Sequence, residues 1–399
     1  MKNRVATNPN NIHPNNPRTK TMHPADQALI ARDPALPGLA LLLDDRALSA
    51  ALTSHLPRHS IARVTYLRYK PQTHCLAALR LDDHSGNTQT LWAKALPAAS
   101  HDWQWQSARL DKRHGDQRLT LPAAHLLLAS PEHDRRLRVA LPAGATILRY
   151  KPERRLVARH HDQLLRYTTA ADYPAILRSA TTGAALGGAP IHSTDASHAS
   201  ITTAWLEGET LHHADAATAA HIGACIARIQ QSLADHLPHT TPADEQHSLA
   251  QTLATIDHIY PELTPAVAAL IQQTGRALAH DNPESCLSHG DLSLDQIIHS
   301  PDGTYHLIDW DNACRATPDA DLATLIGKTL AHTPATDAHT LRDALIDGYA
   351  RPINRHSLHW RTIAALIRLI PEPYRRRDPA WPDTMRARLE QTAQIAAQP

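Results

Sequence analysis

With 399 residues, 42% of them hydrophobic, the chain has room for two or three domains with filled cores. Forty basic against thirty-nine acidic residues leave a formal charge of +1, which argues against a nucleic-acid partner or an anionic membrane. Four scattered cysteines, Cys75, Cys225, Cys286 and Cys314, lack C-x-x-C spacing, so reduced thiols are expected rather than a zinc site or a disulfide framework.

The start, "MKNRVATNPNNIHPNNPRTK", lacks the apolar stretch of a signal peptide, and no run of eighteen apolar residues follows, so a cytoplasmic protein is expected. Residues 1–25, rich in Asn and Pro and without periodicity, read as a disordered tail, with Met22 as an alternative start to Met1. Phenylalanine is absent, and the sequence offers no physical account of it. The 29 histidines include the pairs His160-His161 and His212-His213. Neighbouring side chains diverge on either a helix or a strand and no H-E-x-x-H occurs, so composition bias explains these pairs better than metal binding.

From Asp33, "DPALPGLALLLDDRALSAALTSHL" predicts a turn and then a helix, with Asp44 and Asp45 near its start to favour the dipole. An internal echo follows. "VTYLRYKPQTHCLAAL" at 64–79 and "ATILRYKPERRLVARH" at 145–160 share "LRYKP", with Lys70 and Lys151 eighty-one residues apart. Each copy continues as an apolar strand, a polar turn ("DDHSGNTQ" or "HHDQ") and a second strand ("TLWAKAL" or "LLRYT"). Lys94 and Arg166 fall at matching places in these second strands, which points to a duplication. A helix is predicted near 170–186 and a strand in "ASITTAWLEGETL"; beyond Ala214 the pattern is mainly helical.

Within that helical half lies "LSHGDLSLDQIIHSPDGTYHLIDWDN", residues 287–312. "QIIHSPDGTYHLIDW" is a hairpin signal. With its turn centred between Asp302 and Gly303, Gln296 faces Asp309 at the open end, close to the loop carrying Asp291. Carboxylates plus an amide carbonyl suit magnesium bound with phosphate oxygens better than zinc. Phosphoryl transfer needs metal on the phosphates, cationic donors and a carboxylate that directs the accepting hydroxyl, the place of Asp291.

"HGDLSLDQ", followed after thirteen residues by "DWD", resembles the catalytic loop and metal motif of the aminoglycoside phosphotransferase and choline kinase-like superfamily, relatives of protein kinases. The resemblance implies Asp291 as the catalytic aspartate, Gln296 and Asp309 as metal ligands with Asp311 assisting, and Asp321 and His289 as braces of the loop. It extends to "LRYKPERR…LLRY" as the first strands of the small lobe, to "TTAWLEGETL" as the hinge, and to "GYA…PEPYRRRDPAWP" at the end. Maltokinase-type members are similar in having a cap ahead of the small lobe and Gln in the metal-binding Asn position.

The implied fold is α+β, protein kinase-like and two-lobed: a disordered tail (1–25), an amino-terminal cap that partly repeats the small lobe (26–143), the lobe itself (144–210) and a helical lobe (211–399). The implied donor is ATP or GTP with Mg²⁺, its phosphates held by Arg166 in the place of the family's lysine and its base received by Trp205, Leu206, Glu207 and Gly208. The helix "YPAILRSATTGAAL" lacks the glutamate that partners that lysine. Arg154 and Arg155 read equally as phosphate contacts or as a solvated strand edge; Lys94 is a phosphate contact only if the first copy covers the nucleotide. "LIGKTL" mimics the end of a P-loop without its upstream glycine, so Lys328 is expected on a helix surface. The function implied is transfer of a γ-phosphate to a hydroxyl of a sugar, aminoglycoside or amino alcohol. The alternatives are a kinase acting on Ser or Thr of a peptide and a catalytically silent nucleotide-binding scaffold.

Overall fold

The computed structural model describes residues 22–56, 59–104, 118–279, 281, 284–332 and 335–398; most of the expected tail, residues 1–21, lies outside them. Helix α1, Pro24–Arg32, begins within that expected tail because His23 accepts from the Ala25 N–H and Pro24 is suited to the first turn. The turn expected next contains a short helix, α2 (Leu39–Leu42), ahead of the expected helix, α3 (Asp45–Thr53). Asp44 and Asp45 stand at the start of α3 as expected: in extended conformation, the Asp44 carboxylate accepts from the N–H groups of Arg46 and Ala47. It therefore acts as the N-cap.

The first sheet contains β1 (His59–Lys70), β2 (His74–Asp83), β3 (Thr88–Ala95), β4 (Arg118–Leu121) and β5 (Leu126–Ala129) in the order β1-β2-β3-β5-β4. The second contains β6 (Thr146–Lys151), β7 (Arg155–His160), β8 (Gln163–Thr168), β9 (Ile191–Asp195) and β10 (Ser200–Ala204) in the corresponding order β6-β7-β8-β10-β9. Helix α4, Tyr173–Ala185, lies between β8 and β9 in the chain. Registers correspond too. Lys70 pairs with His74 and Leu76 with Lys94; Lys151 pairs with Arg155 and Val157 with Arg166. Lys94 and Arg166 thus occupy one register position in two sheets.

Each sheet also carries a carboxylate clamp on its first hairpin. Asp33 accepts from the Tyr69 hydroxyl and the Gln72 N–H, both at 2.8 Å. Asp134 accepts from the Tyr150 hydroxyl at 2.9 Å and the Glu153 N–H at 2.7 Å. Gln72 and Glu153, the donors in the turns, have φ of 56° and 58°.

Alternation along β2 joins the two sheets. Cys75, Ala77, Leu79 and Leu81 enter one core with Leu29, Leu48, Ile363, Trp381 and Met385, whereas Ala78 enters another with Tyr150, Leu156 and Tyr167. The amino-terminal sheet is consequently wedged between the second sheet and helices from the end of the chain.

The carboxyl-terminal half contains α5 (Ala216–Ile229), α6 (Pro242–Ile259), α7 (Thr264–Ala277), α8 (Ala320–His332), α9 (Ala335–Tyr349), α10 (Arg355–Leu369), α11 (Glu372–Arg375) and α12 (Trp381–Ala396). Thr241 and Asp244 form a reciprocal capping box at the start of α6, an arrangement that contributes about 1 kcal/mol. Short strands β11 (Glu209–Thr210), β12 (Cys286–Ser288), β13 (Ile297–His299), β14 (Tyr305–Leu307) and β15 (Cys314–Ala316) carry the loop motif across these helices. The architecture is α+β, as expected. Among the described residues no helix is long and apolar enough to cross a membrane.

Candidate active site

The loop after β12 is fastened by one buried carboxylate. Asp321, in the first turn of α8, is 1% exposed and accepts from Ser288 Oγ at 2.8 Å, His289 N at 2.8 Å and Gly290 N at 3.0 Å. A negative charge there also complements the helix dipole. Gly290 has φ of +81°, and a Cβ at that position would collide with the Asn312 carbonyl, so glycine lets the loop lie directly against "DWDN". His289 Nε2 bonds the Ile308 carbonyl at 2.9 Å, tying the loop to the hairpin. Asp291 projects from this fixed base.

The hairpin register differs from the sequence expectation by one residue. Ile297 pairs with Leu307 and His299 with Tyr305, which sets Gln296 opposite Ile308, whose N–H bonds the Gln296 carbonyl at 2.9 Å. The expected pairing of Gln296 with Asp309 is therefore corrected. The turn holds three residues, Pro301, Asp302 and Gly303, with Gly303 at φ +86°; an odd loop shifts every opposing pair by one. Asp309 lies just past the paired segment with φ 63° and ψ 48°, a backbone kink that re-aims its side chain.

Two arginines of the second sheet meet the two carboxylates of "DWD". Arg155 Nη1 lies 3.0 Å from Asp309 Oδ1 and 2.6 Å from Asp311 Oδ2, and its Nη2 lies 3.2 Å from Asp309 Oδ2. Arg166 donates to Asp309 at 3.2 Å and, through Nη1, to Asp311 Oδ1. Burial pushes the Asp309 carboxyl up, but Arg166, then Arg155 and Arg149, pull it down further and leave it well below the usual carboxylate range. Arg155 is thus part of a paired cluster, and no solvated strand edge. Arg154, beside it, is exposed.

The oxygen donors beside the loop suit a divalent cation. Gln296 Oε1 is buried and has no hydrogen-bond partner, which leaves an amide oxygen available beside the loop. With Asp309 and Asp311 this is a hard-oxygen set of the kind magnesium takes. Among the described residues no group of three His, Cys, Asp or Glu side chains is arranged to hold a metal.

Lys94, at the register position of Arg166, does not meet these carboxylates: its ammonium sits 2.7 Å from Glu153, which Arg68 and Arg136 also approach. In α4, where no acid stands, the contact with the motif is steric. A Cβ on Gly183 would collide with the Trp310 indole, so the helix packs directly on that ring.

Along the hinge, Trp205 N–H donates to the Asp162 carbonyl at 2.7 Å, the Trp205 ring lies 4.0 Å from the Arg159 guanidinium, and the Glu207 carbonyl accepts from Ser300 Oγ at 2.7 Å.

Lys328 departs from expectation. It does not lie idle on a helix surface: its Nζ is 2.6 Å from the Asp291 carbonyl and 2.7 Å from Asp291 Oδ1. The available signal was spacing, because Asp321 and Lys328 are seven apart on α8 and share a helix face. One further turn along α8, His332 lines a cavity of about 570 Å³ with Glu372, Arg376, Asp378 and Arg388.

Many solved structures resemble the chain, among them the following three. A choline/ethanolamine kinase family protein from Mesorhizobium loti is 17% identical, with 67% of this chain and 95% of that one covered at a TM-score of 0.49. The aminoglycoside phosphotransferase APH(3'')-Id from Streptomyces rimosus is 19% identical, with 57% and 92% covered at 0.45. The choline kinase LicA from Streptococcus pneumoniae is 14% identical, with 64% and 93% covered at 0.47. A search of the curated proteins found no match. The profile of the APH phosphotransferase enzyme family matches residues 126–366, a span that runs from β5 through the second sheet, the Asp291 loop and the Asp309 motif into α10, and the chain therefore belongs to that family.

Proposed function

We propose that the protein transfers the γ-phosphate of ATP or GTP to a hydroxyl of a small molecule, with Asp291 directing the hydroxyl. The observation that carries this reading is the placement of Asp291 on a loop bolted by Asp321 and laid against the Asp309–Asp311 pair, with two guanidinium groups already converged there. Magnesium held by Gln296, Asp309 and Asp311 would neutralise charge on the phosphates. Arg155 and Arg166 would orient the phosphate oxygens, planar forks being suited to bidentate contacts. The backbone of Trp205, Leu206, Glu207 and Gly208 would meet the base.

The cavity next to His332 supports a small-molecule acceptor. Its wall mixes cations and carboxylates: Arg376 is 2.5 Å and Arg388 3.4 Å from Glu372. Such a lining suits a polar, hydroxylated compound rather than an apolar one. In the first sheet, Lys94 is already neutralised by Glu153, which favours a supporting role for residues 26–143 over a nucleotide site.

The test is Mg-dependent ATP turnover by wild type and Asp291→Asn, together with mass-spectrometric screening of sugar, amino-alcohol, aminoglycoside and peptide pools for phosphorylated products. A product among the small molecules, lost in Asp291→Asn, is expected. Products only from peptides would replace the acceptor class; equal background turnover in both proteins, with intact nucleotide binding, would leave a silent scaffold.

A further inference from the structure

Lys328 grips Asp291 at two points, its backbone carbonyl at 2.6 Å and Oδ1 at 2.7 Å. A two-point grip sets both the backbone position and the side-chain rotamer of one residue, which an ordinary surface ion pair does not. Exposure runs in the same direction. The Lys328 side chain is 19% exposed and that of Asp291 46%, so the cation is the better buried partner, behind a carboxylate that faces the open site. An exposed pair contributes only about 0–1 kcal/mol and stabilises little, whereas a cation held in a lower dielectric acts strongly on nearby charge.

The element that delivers Lys328 is rigid where it matters. Asp321 joins α8 to the start of the same loop by three hydrogen bonds, and Leu322 and Leu325, between Asp321 and Lys328, are buried. Loop and lysine are thus parts of one body. An ammonium has three N–H donors, of which two are engaged here. Asp291 Oδ2 has no hydrogen-bond partner among the described residues and is left to accept a proton.

We propose that Lys328 is a positioning residue for Asp291 and that its third N–H serves the oxygens of the phosphoryl group in transfer; this rests on the phosphotransferase reading of Asp291 above. In the step, the acceptor O–H proton passes to Asp291 Oδ2 and the acceptor oxygen bonds the γ-phosphorus. The bond from that phosphorus to the β,γ-bridging oxygen breaks, and the nucleoside diphosphate leaves with the electron pair. Lys328 remains charged throughout, holding Oδ1 aside while its free donor meets negative charge on the phosphoryl oxygens.

The test measures Mg·ATP turnover, with the acceptor pools present, for wild type, Asp291→Asn, Lys328→Met and Lys328→Arg, alongside calorimetric affinity for Mg·ADP and the thermal midpoint. Lys328→Met is expected to lower kcat about 100-fold, with Mg·ADP affinity within about twofold and the midpoint nearly unchanged. Lys328→Arg is expected to recover about tenfold of that loss, because the charge returns in a different geometry. An active wild type, an inactive Asp291→Asn and a Lys328→Met protein with undiminished kcat would overturn the role of Lys328 alone. A loss in Lys328→Met matched by an equal loss of Mg·ADP affinity would also overturn it, as the signature of a structural prop. Equal turnover by wild type and Asp291→Asn would remove the reading on which it rests.

Discussion

The two five-stranded sheets share strand order, register and a tyrosine–carboxylate clamp, yet among the described residues only the second reaches the motif carboxylates. At one register position the second sheet has Arg166 on Asp309 and Asp311, while the first has Lys94 on Glu153. A second difference reinforces the first: Arg155, which also grips the pair, corresponds to His74. Burial, then Lys94 and Arg68, push the His74 imidazole down to about 4, so it is neutral at physiological pH. Scaffold and chemistry are separable here. Backbone hydrogen bonding maintains the sheet, whereas the function of a given position depends on which side chain it carries and what lies opposite.

The sharpest way to break this comparison is to change the matched pair. Arg166→Met is expected to lower kcat/KM for Mg·ATP by about 100-fold or more, through loss of a cation at the developing phosphate charge. Lys94→Met is expected to stay within about threefold of wild type, because its charge already belongs to Glu153. Equal kinetic losses in the two proteins would mean that the first sheet also meets the nucleotide.

Stability gives a second readout for Lys94. Lys94 and Glu153 are 12% and 16% exposed, and removing the lysine leaves the carboxylate to the longer contacts with Arg68 and Arg136. A cost of about 2 kcal/mol, discounted for this partial exposure, is expected as a lower urea midpoint. No change in midpoint would show that the Arg contacts alone suffice.

The clamps offer a control in which the sheets should agree. Tyr69→Phe and Tyr150→Phe each delete one hydrogen bond to a carboxylate, at 2.8 and 2.9 Å, and should each cost roughly 1.5 kcal/mol. A large inequality would mean that one clamp carries more of the fold than its geometry suggests.

A smaller effect concerns Lys151. Burial, then Arg149, Arg155 and Arg154, lower its ammonium to about 7. At pH 8 it is therefore mostly neutral, and the arrival of phosphate anions raises its pKa. Nucleotide binding should then take up a fraction of a proton, visible as a dependence of the calorimetric enthalpy on buffer ionisation. Lys151→Met should abolish the uptake and Lys70→Met, at the matching place in the first sheet, should not. Uptake unaffected by Lys151→Met would assign it elsewhere.

Much of the fold was legible because its signals are local. The strands of both "LRYKP" hairpins alternate in period two between turn residues, and α4, α5, α7, α8 and α10 follow a helical period over segments near those expected. Less legible was anything set by a single residue acting at a boundary. His23 caps α1 inside the segment expected to be a tail, and the three-residue turn at Pro301–Gly303 moves Gln296 from Asp309 to Ile308. Both are choices among closely balanced local alternatives, and small differences in hydrogen bonding settle them.

The sequence by itself determined the α+β pattern, the duplicated string and a motif whose residue types belong to phosphoryl transfer, because periodicity and residue chemistry act over a few neighbours. Only the tertiary structure decided which charges meet. Glu153 neutralises Lys94 across fifty-nine residues, Arg155 and Arg166 reach the motif from more than one hundred and forty residues away, and Lys328 closes on Asp291 from a helix first joined to its loop by Asp321. The physical reason is that an ion pair is a matter of a few ångströms in space, and sequence separation says nothing about that distance until sheets and helices have packed.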